Sequence, residues 1–398
     1  MNSILDQDLI LKGKKVILRV DLNVPMKDGS ITEASRIIKI IPTIKLLIEK
    51  KAKIVILSNI GRPKGKIVNG MSLEPISKKL SNLLNIEVLF NKNQINEKTF
   101  AEIDKISDGS VMMMENIRFY EGEEKNEDSF SKKISSLGDI YINDAFSCSH
   151  RAHSSIVGIT KYIPSYCGLQ FIEEINALKK ITSKITRPIT CIIGGSKIST
   201  KIKIISNLIK DFDNIIIVGG MGNAMLKNTG INIGKSVCDD GYKHLVEEIL
   251  IKSEAHDCQI YYPLDVVVSK TLDGNGSIKK INEVDNDEMI LDIGPKTIAS
   301  IKNIVEDSNT VLWNGPAGYF ENLNFANGTK KILEIIADKR IKDKIYAVAG
   351  GGETVAVINK FNKLDTFNFV STAGGAFLEY LEGKELSGIK ALKLNVRT

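Results

Sequence analysis

The feature that most limits how this chain can fold is an alternation, carried from one end to the other, of short apolar runs and longer amphipathic segments. The short runs, rich in Ile and Val, read as buried strands. The longer segments repeat apolar residues at three- and four-residue spacing and read as helices. A strand-helix-strand alternation implies parallel sheets covered by helices on both faces, because a parallel crossover needs a dozen or more residues and a helix supplies them. In the first half, strands are expected at residues 15–21, 54–58, 87–90, 110–115 and 140–146, with helices such as 34–50 between them, so that five strands complete one sheet. A second series starts near Arg187, with strands at 189–194, 214–219, 310–314, 346–349 and 367–371. The stretch 164–185, helical from about Leu169, is read as the joint. The expected fold class is therefore α/β, with two doubly wound, Rossmann-like parallel-sheet domains joined by a helix and hinge and a site in the cleft between them.

A chain of 398 residues is longer than one core usually extends, which agrees with two domains. The expected boundaries are 1–168 for the first domain, 169–185 for the joining helix and 186–384 for the second. The formal charge of +6 is spread without a long block of one sign, so neither a nucleic-acid footprint nor an acidic tail is implied. Cys148, Cys167, Cys191, Cys238 and Cys258 are odd in number and contain no CxxC pair, which argues against a disulfide framework and a zinc site. Residues 1–11 carry Asp6 and Asp8 where a secretion signal needs an apolar run, and no stretch reaches the roughly 18 apolar residues of a membrane span. A cytoplasmic protein without a membrane or nucleic-acid partner is expected.

In open parallel sheets, ligands bind where the strands' carboxyl ends meet loops and helix N-termini. In the first half those positions are polar and arginine-rich: Arg19, Asp21 and Asn23; Ser58 and Arg62; Glu115 and Arg118; Asn143 and Asp144 leading to His150, Arg151 and His153. Arg36 lies near the first helix start. A guanidinium gives bidentate hydrogen bonds to carboxylate and phosphate, so several at strand ends suit a small, multiply anionic acid. In the second half the strand ends are glycine-rich instead: Gly194-Gly195-Ser196-Lys197, Gly219-Gly220, Gly315-Pro316, Gly350-Gly351-Gly352-Glu353-Thr354 and Gly374-Gly375. Glycine lets backbone N–H groups approach phosphate oxygens, which suits a nucleotide. Lys197 and Lys201, expected on the following helix, add positive charge.

The chain has no G-x-x-x-x-G-K-[ST], no G-x-G-x-x-G and no protein-kinase HRD or DFG segment. Two domains with different anionic ligands imply a transferase that closes on its substrates and excludes water. With only four histidines, a carboxylate acceptor is the economical choice, since it is already ionised at neutral pH and needs no general base.

Read as words, the strand-end segments resemble those of the phosphoglycerate kinase family from near residue 13 to near residue 388. They are RVDLNVP (19–25), SNIGRP (58–63), ENIRF (115–119), NDAF through SHRAHSS (143–155), GGSKIS (194–199), DIGPKT (292–297), WNGPAGYFE (313–321), GGGET (350–354) and STAGGA (371–376). The resemblance implies a monomeric glycolytic enzyme that reversibly transfers a phosphoryl group, with Mg2+, between 1,3-bisphosphoglycerate and ADP to give 3-phosphoglycerate and ATP. It implies that Arg19, Asp21, Asn23, Arg36, Asn59, Arg62, Arg118 and Arg151 form the acid site. It implies that Lys197 and Arg36 neutralise the phosphoryl group in flight, with Gly374 and Gly375 offering backbone donors. Lys201 and Asn314 would hold nucleotide phosphates and Glu321 the ribose. Gly195, Gly219 and Pro316 would line the base and ribose pocket; Gly350, Gly351, Gly352, Glu353 and Thr354 would form the phosphate and magnesium end, with Glu353 as the metal's carboxylate. It also implies that the tail 385–398 returns to the first domain.

The chain departs from the family pattern in places. Asn59 stands where histidine is customary, so one acid-site hydrogen bond changes and a titratable group is lost. Glu353 replaces a frequent aspartate, and Leu22 a phenylalanine. Ala373 replaces the first glycine of a triple, which would penalise a left-handed backbone there. Two other readings stay open at this level: a related small-acid kinase, and a non-catalytic binding protein.

Overall fold

A computed structural model describes residues 1–27, 29–342 and 344–395. The chain divides into two compact units, one comprising residues from Met1 to Ile175 together with the segment from Glu385, the other Asn176–Lys384. The helix Leu169–Thr182 contributes residues to both.

The first unit is built on a six-stranded sheet. Its strands are β1 (Lys15–Arg19), β2 (Lys53–Leu57), β3 (Val88–Asn91), β4 (Val111–Met114), β5 (Ile140–Asn143) and β6 (Ser165–Cys167), in the order β3-β4-β2-β1-β5-β6. All pairs are parallel. Residues alternate between faces as the pleat requires. Val16, Leu18, Ile54, Ile56, Val111, Met113, Ile140 and Ile142 share one core with Ile37, Ile40, Ile44 and Leu47 of helix Ser35–Glu49. Ile17, Val55, Leu57, Met112, Met114 and Tyr141 share the other with Ile103, Phe130 and Ile134. Apolar residues at both parities are what a sheet buried on two faces demands, and this explains why its strands read as continuous apolar runs.

β6 extends the sheet beyond the five strands expected. It is three residues long and lies between Pro164 and Gly168, so it carries too little pattern to be read as a strand. The C-terminal helix Ser387–Leu394 is also in this unit, and Gly388 N donates to Ser149 O at 2.8 Å. Asn395 closes the arrangement: its Oδ1 accepts Ser165 N at 2.7 Å, and its Nδ2 donates to Thr160 O and Ile163 O.

The second unit repeats the plan. Its sheet contains β7 (Ile189–Ile193), β8 (Asn214–Ile217), β9 (Gln259–Tyr261), β13 (Thr310–Asn314), β14 (Tyr346–Gly350) and β15 (Phe369–Ser371), all parallel, in the order β9-β8-β7-β13-β14-β15. Ile192, Ile216, Val218, Val311, Trp313, Ala347 and Ala349 form a core with Ile301 and Val305 of helix Pro295–Asp307 and with Ile332, Leu333 and Ile336 of helix Asn327–Ile341.

Sequence pattern missed β9 and a separate antiparallel sheet in which β10 (Asp265–Ser269) lies between β11 (Ser277–Lys280) and β12 (Met289–Ile293). β11 is largely exposed and carries two lysines, so it lacks the apolar signature of the parallel strands. Among the described residues, no helix is long and apolar enough to cross a membrane.

Asn395→Ala removes the partner of an edge-strand N–H and of two carbonyls. The variant should lose about 1–3 kcal/mol of unfolding free energy, read as a lower urea midpoint.

Candidate active site

In both sheets the strand order reverses beside the first strand of its unit. In the first unit β2 lies on one side of β1 and β5 on the other, with Arg19 level with Leu57 and Asn143. The chains leaving β1, β2 and β5 therefore emerge together at the switch point where ligands bind in such sheets.

The sequence-predicted acid-site residues are brought to this edge, in two groups. One group spans several loops and runs from exposed Asn23 and Arg62, through half-buried Asp21, Arg36 and Arg151, to buried Asn116 and Arg118. Asp21 Oδ2 accepts from Arg36 Nη1 and from Ser147 Oγ, while its Oδ1 accepts Asn23 N at 3.0 Å. Asn23 Oδ1 accepts Gly61 N at 2.9 Å, which ties the SNIGRP loop to the RVDLNVP loop. Asn116 Nδ2 donates to Ile60 O at 2.8 Å and to Met71 O at 2.9 Å, and its Oδ1 accepts Arg118 N at 3.1 Å, adding the ENIRF loop. Arg118 Nη1 donates to Gly61 O at 2.7 Å, and its Nε lies 3.4 Å from Glu124 Oε1. Arg62 is exposed and Arg151 partly so.

The other group is sealed. Arg19 and Asn59 are 0% and 2% exposed, and Arg19 Nη2 donates to Asn59 Oδ1. The uncharged amide at position 59 thus serves a buried guanidinium as acceptor.

Positive charge converges here strongly enough to mark a neighbour. The imidazole of His153 is pushed down to about 3, first by burial and then by the charges of Arg118, Arg19 and Arg151 and by His150. Glu123 Oε1 lies 3.8 Å from its Nδ1. His153 is therefore a neutral wall residue, in line with chemistry that uses no base.

In the second unit, the loops after β7 and β13 meet at the equivalent switch point. A Cβ on Gly194 would lie 2.0 Å from Pro316 O, and one on Gly315 would lie 2.2 Å from Gly194 O, so neither position can hold a side chain. Lys201 Nζ reaches into this crossing, donating to Gly194 O at 2.5 Å and to Asn314 Oδ1 at 2.7 Å. Asn314 Nδ2 donates onward to Gly350 O at 2.6 Å, and Gly315 N donates to Thr354 Oγ1 at 2.6 Å. Three of the glycine-rich strand ends are thereby joined around one ammonium. Burial pushes Lys201 down to about 8, against the opposing pull of Glu353.

Two adjoining cavities open here. One, of about 240 Å3, is lined by Gly195, Lys201, Asn314, Gly352, Glu353 and Thr354 among others. The other, of about 320 Å3, includes Gly195, Gly219, Pro316, Glu321 and Glu353, with apolar walls from Leu272, Leu291, Tyr319 and Phe320. A small polar pocket beside a larger apolar one suits a phosphate chain and a base. Those apolar walls were not found from sequence, because nothing in the pattern distinguishes a cavity wall from core.

Lys197 and Lys201 are not on the helix itself. Lys197 is exposed and extended before the turn Ile198–Thr200, and Lys201 lies between that turn and helix Ile202–Leu208. Ala373 carries no left-handed strain, since the positive φ of +54° falls on Gly374. Gly374 and Gly375 open helix Gly375–Leu381.

A family model described as Phosphoglycerate kinase matches residues 6–384. The chain belongs to the phosphoglycerate kinase family. Curated relatives named phosphoglycerate kinase include one from Orientia tsutsugamushi, 43% identical over 394 residues and covering 98% of this chain and 97% of its own length. Another, from Xanthobacter flavus, is 41% identical over 391 residues and covers 98% of each chain. The solved phosphoglycerate kinase of Coxiella burnetii superposes with a TM-score of 0.91 at 38% identity, covering 98% of both chains. That of Pyrococcus horikoshii gives 0.81 at 29% identity with 99% coverage of both.

His153 should remain neutral across physiological pH, with no imidazole titration by NMR between about pH 5 and about pH 8. An unfolded histidine takes up its proton near 6.5, so this residue stabilises the fold above about 6.5 and withdraws that stability as pH falls toward about 3.

Proposed function

We propose that this protein catalyses the reversible, magnesium-dependent transfer of a phosphoryl group between 1,3-bisphosphoglycerate and ADP, giving 3-phosphoglycerate and ATP. The observation that carries this reading is a pairing of sites in one member of this family: an arginine-lined strand edge in one unit and a glycine-framed pair of cavities around Lys201 in the other.

In this reading Asp21, Asn23, Arg36, Arg62, Arg118 and Arg151 hold the three-carbon acid, with Arg19 and Asn59 in the same network. The apolar walls with Gly195, Gly219 and Pro316 take the base, and Glu321 the ribose. Lys201, Asn314 and the 350–354 segment take the phosphates. Lys197 and Arg36 offset charge on the phosphoryl group, assisted by the N–H groups of Gly374 and Gly375. Reaction occurs by direct in-line displacement. In the proposed mechanism hinge closure brings the reacting atoms to about 3–3.5 Å. No base acts, because the acceptor is an ionised carboxylate.

The residues present fit a magnesium ion carried by the nucleotide. Among the described residues, no group of three or more His, Cys, Asp or Glu could cage a metal. Glu353 nevertheless offers a hard oxygen in the first turn of helix Gly352–Lys360, where it lines both cavities. Magnesium bound by one carboxylate plus substrate phosphates and water is its usual arrangement in such sites. When bound, it would neutralise phosphate charge. The reading includes a cytoplasmic monomer.

An assay of ATP-dependent 3-phosphoglycerate phosphorylation tests the proposal. Lys197→Ala should lower kcat by at least about a hundredfold, the order lost with a preorganised transition-state group; equal activity removes Lys197 from its role. Turnover of a different small acid alone would point to a related kinase, and binding without turnover to a non-catalytic protein. The nucleotide KM should rise as pH climbs through about 8, where free Lys201 loses the charge that attracts phosphate, and Lys201→Met should flatten that rise.

A further inference from the structure

The run Glu121-Gly122-Glu123-Glu124 follows the ENIRF segment on the short helix Glu121–Lys125. An acidic run beside an anion site is unexpected, and the proposed reaction assigns it nothing. Glu124 is accounted for by Arg118. Glu123 differs, because its side chain is wholly buried. Its Oε2 accepts Ser155 N at 2.9 Å and its Oε1 accepts Ser155 Oγ at 2.5 Å.

A serine hydroxyl has one hydrogen. With that hydrogen given to the carboxylate, Ser155 Oγ faces its other neighbour as an acceptor, and it takes Arg19 Nε at 2.9 Å. Arg19 is itself fully buried, with Nη1 donating to Val20 O and Nη2 to Asn59 Oδ1. Each nitrogen of the guanidinium therefore has a protein acceptor, and none of it reaches the surface. Tyr141 Oη donates to Ser155 O at 2.6 Å, and Ser154 N donates to Glu123 O at 2.9 Å, so the link between the two segments is braced on both sides.

We infer that Arg19 does not grip the ligand but forms, with Ser155 and Glu123, a buried keel that positions the acid-site loops, Glu123 being its balancing charge. The keel joins four segments in one network: the end of β1, the loop after β2 through Asn59, the helix after β4 through Glu123, and the loop after β5 through Ser155. Those segments carry Asp21 and Asn23, Arg62, Arg118 and Arg151. A guanidinium sealed in apolar surroundings is tolerable only with a compensating carboxylate and filled hydrogen bonds, and Glu123 and its relay supply both. The inference rests on the acid-site reading above and goes beyond it by moving one arginine from contact to positioning.

The test uses Ser155→Ala, Arg62→Ala, Arg19→Met, Glu123→Met and the double variant Arg19→Met/Glu123→Met, in steady-state kinetics and thermal unfolding. Ser155→Ala breaks the relay while leaving both charges. It should raise the KM for 3-phosphoglycerate about tenfold, the scale of one charge-assisted buried hydrogen bond, with the ATP KM unchanged within about twofold. Each single methionine variant should melt lower than the double, because each leaves one buried charge unpaired. If the singles do not fold, Ser155→Ala and a folded double still support the keel. An unchanged 3-phosphoglycerate KM in Ser155→Ala overturns it, as does a double variant that loses as much stability as the two singles together. Arg62→Ala separates the two levels. If it too leaves 3-phosphoglycerate binding intact, the acid-site reading fails; if it weakens binding while Ser155→Ala does not, the keel alone fails.

Discussion

Parallel hydrogen-bond register is the constraint on which everything else in each unit depends. With Arg19 level with Leu57 and Asn143, three chains leave the first sheet at one height, and residues far apart in sequence become neighbours without any loop having to travel. The second sheet does the same with Asn314 level with Ile193, and there the loops cross so closely that only glycine fits at 194 and 315. A slip of one residue would turn every side chain of a strand to the other face. Because both faces are buried under helices, such a slip would also break two cores at once.

Charge is distributed on top of that frame by depth. Arg19 and Glu123 are sealed and satisfied by protein groups, Arg36 and Arg118 are half-committed to Asp21 and Glu124, and Arg62 is exposed. Buried carboxylates without a cationic partner do a different job. Asp292, pushed up to about 7 by burial, accepts Gly328 N at 2.6 Å and thereby fixes the start of helix Asn327–Ile341 against β12. Asp144, pushed up to about 6 by burial, accepts Thr43 Oγ1 at 2.5 Å and Phe171 N at 3.0 Å, which anchors the first turn of helix Leu169–Thr182. Carboxylates of this kind secure backbone that glycine or an irregular loop would otherwise leave loose.

Much of this was legible beforehand, for identifiable reasons. The doubly wound architecture could be read because strands buried on both faces are continuously apolar and alternate with longer amphipathic segments, and the glycine and arginine clusters could be read because they fall immediately after those strands. β6 and β9 escaped notice because three residues carry no periodicity, and β11 because an exposed strand has no apolar signal. Whether Ala373 would meet a left-handed backbone was not legible either; the turn places that conformation one residue later, on Gly374. Nothing local in the acidic run at 121–124 reveals that Glu123 points inward.

The sequence by itself determined the two-sheet plan, the family and the chemical character of each strand end, since these depend on local pattern and residue type. Only the tertiary structure decided which arginine is buried and which exposed, where the cavity walls lie, and that Arg19, Ser155 and Glu123 meet. Those outcomes depend on desolvation and on hydrogen bonds between residues more than thirty and more than a hundred positions apart. Such pairings arise only when the sheet brings distant loops to one edge, and no local pattern encodes them.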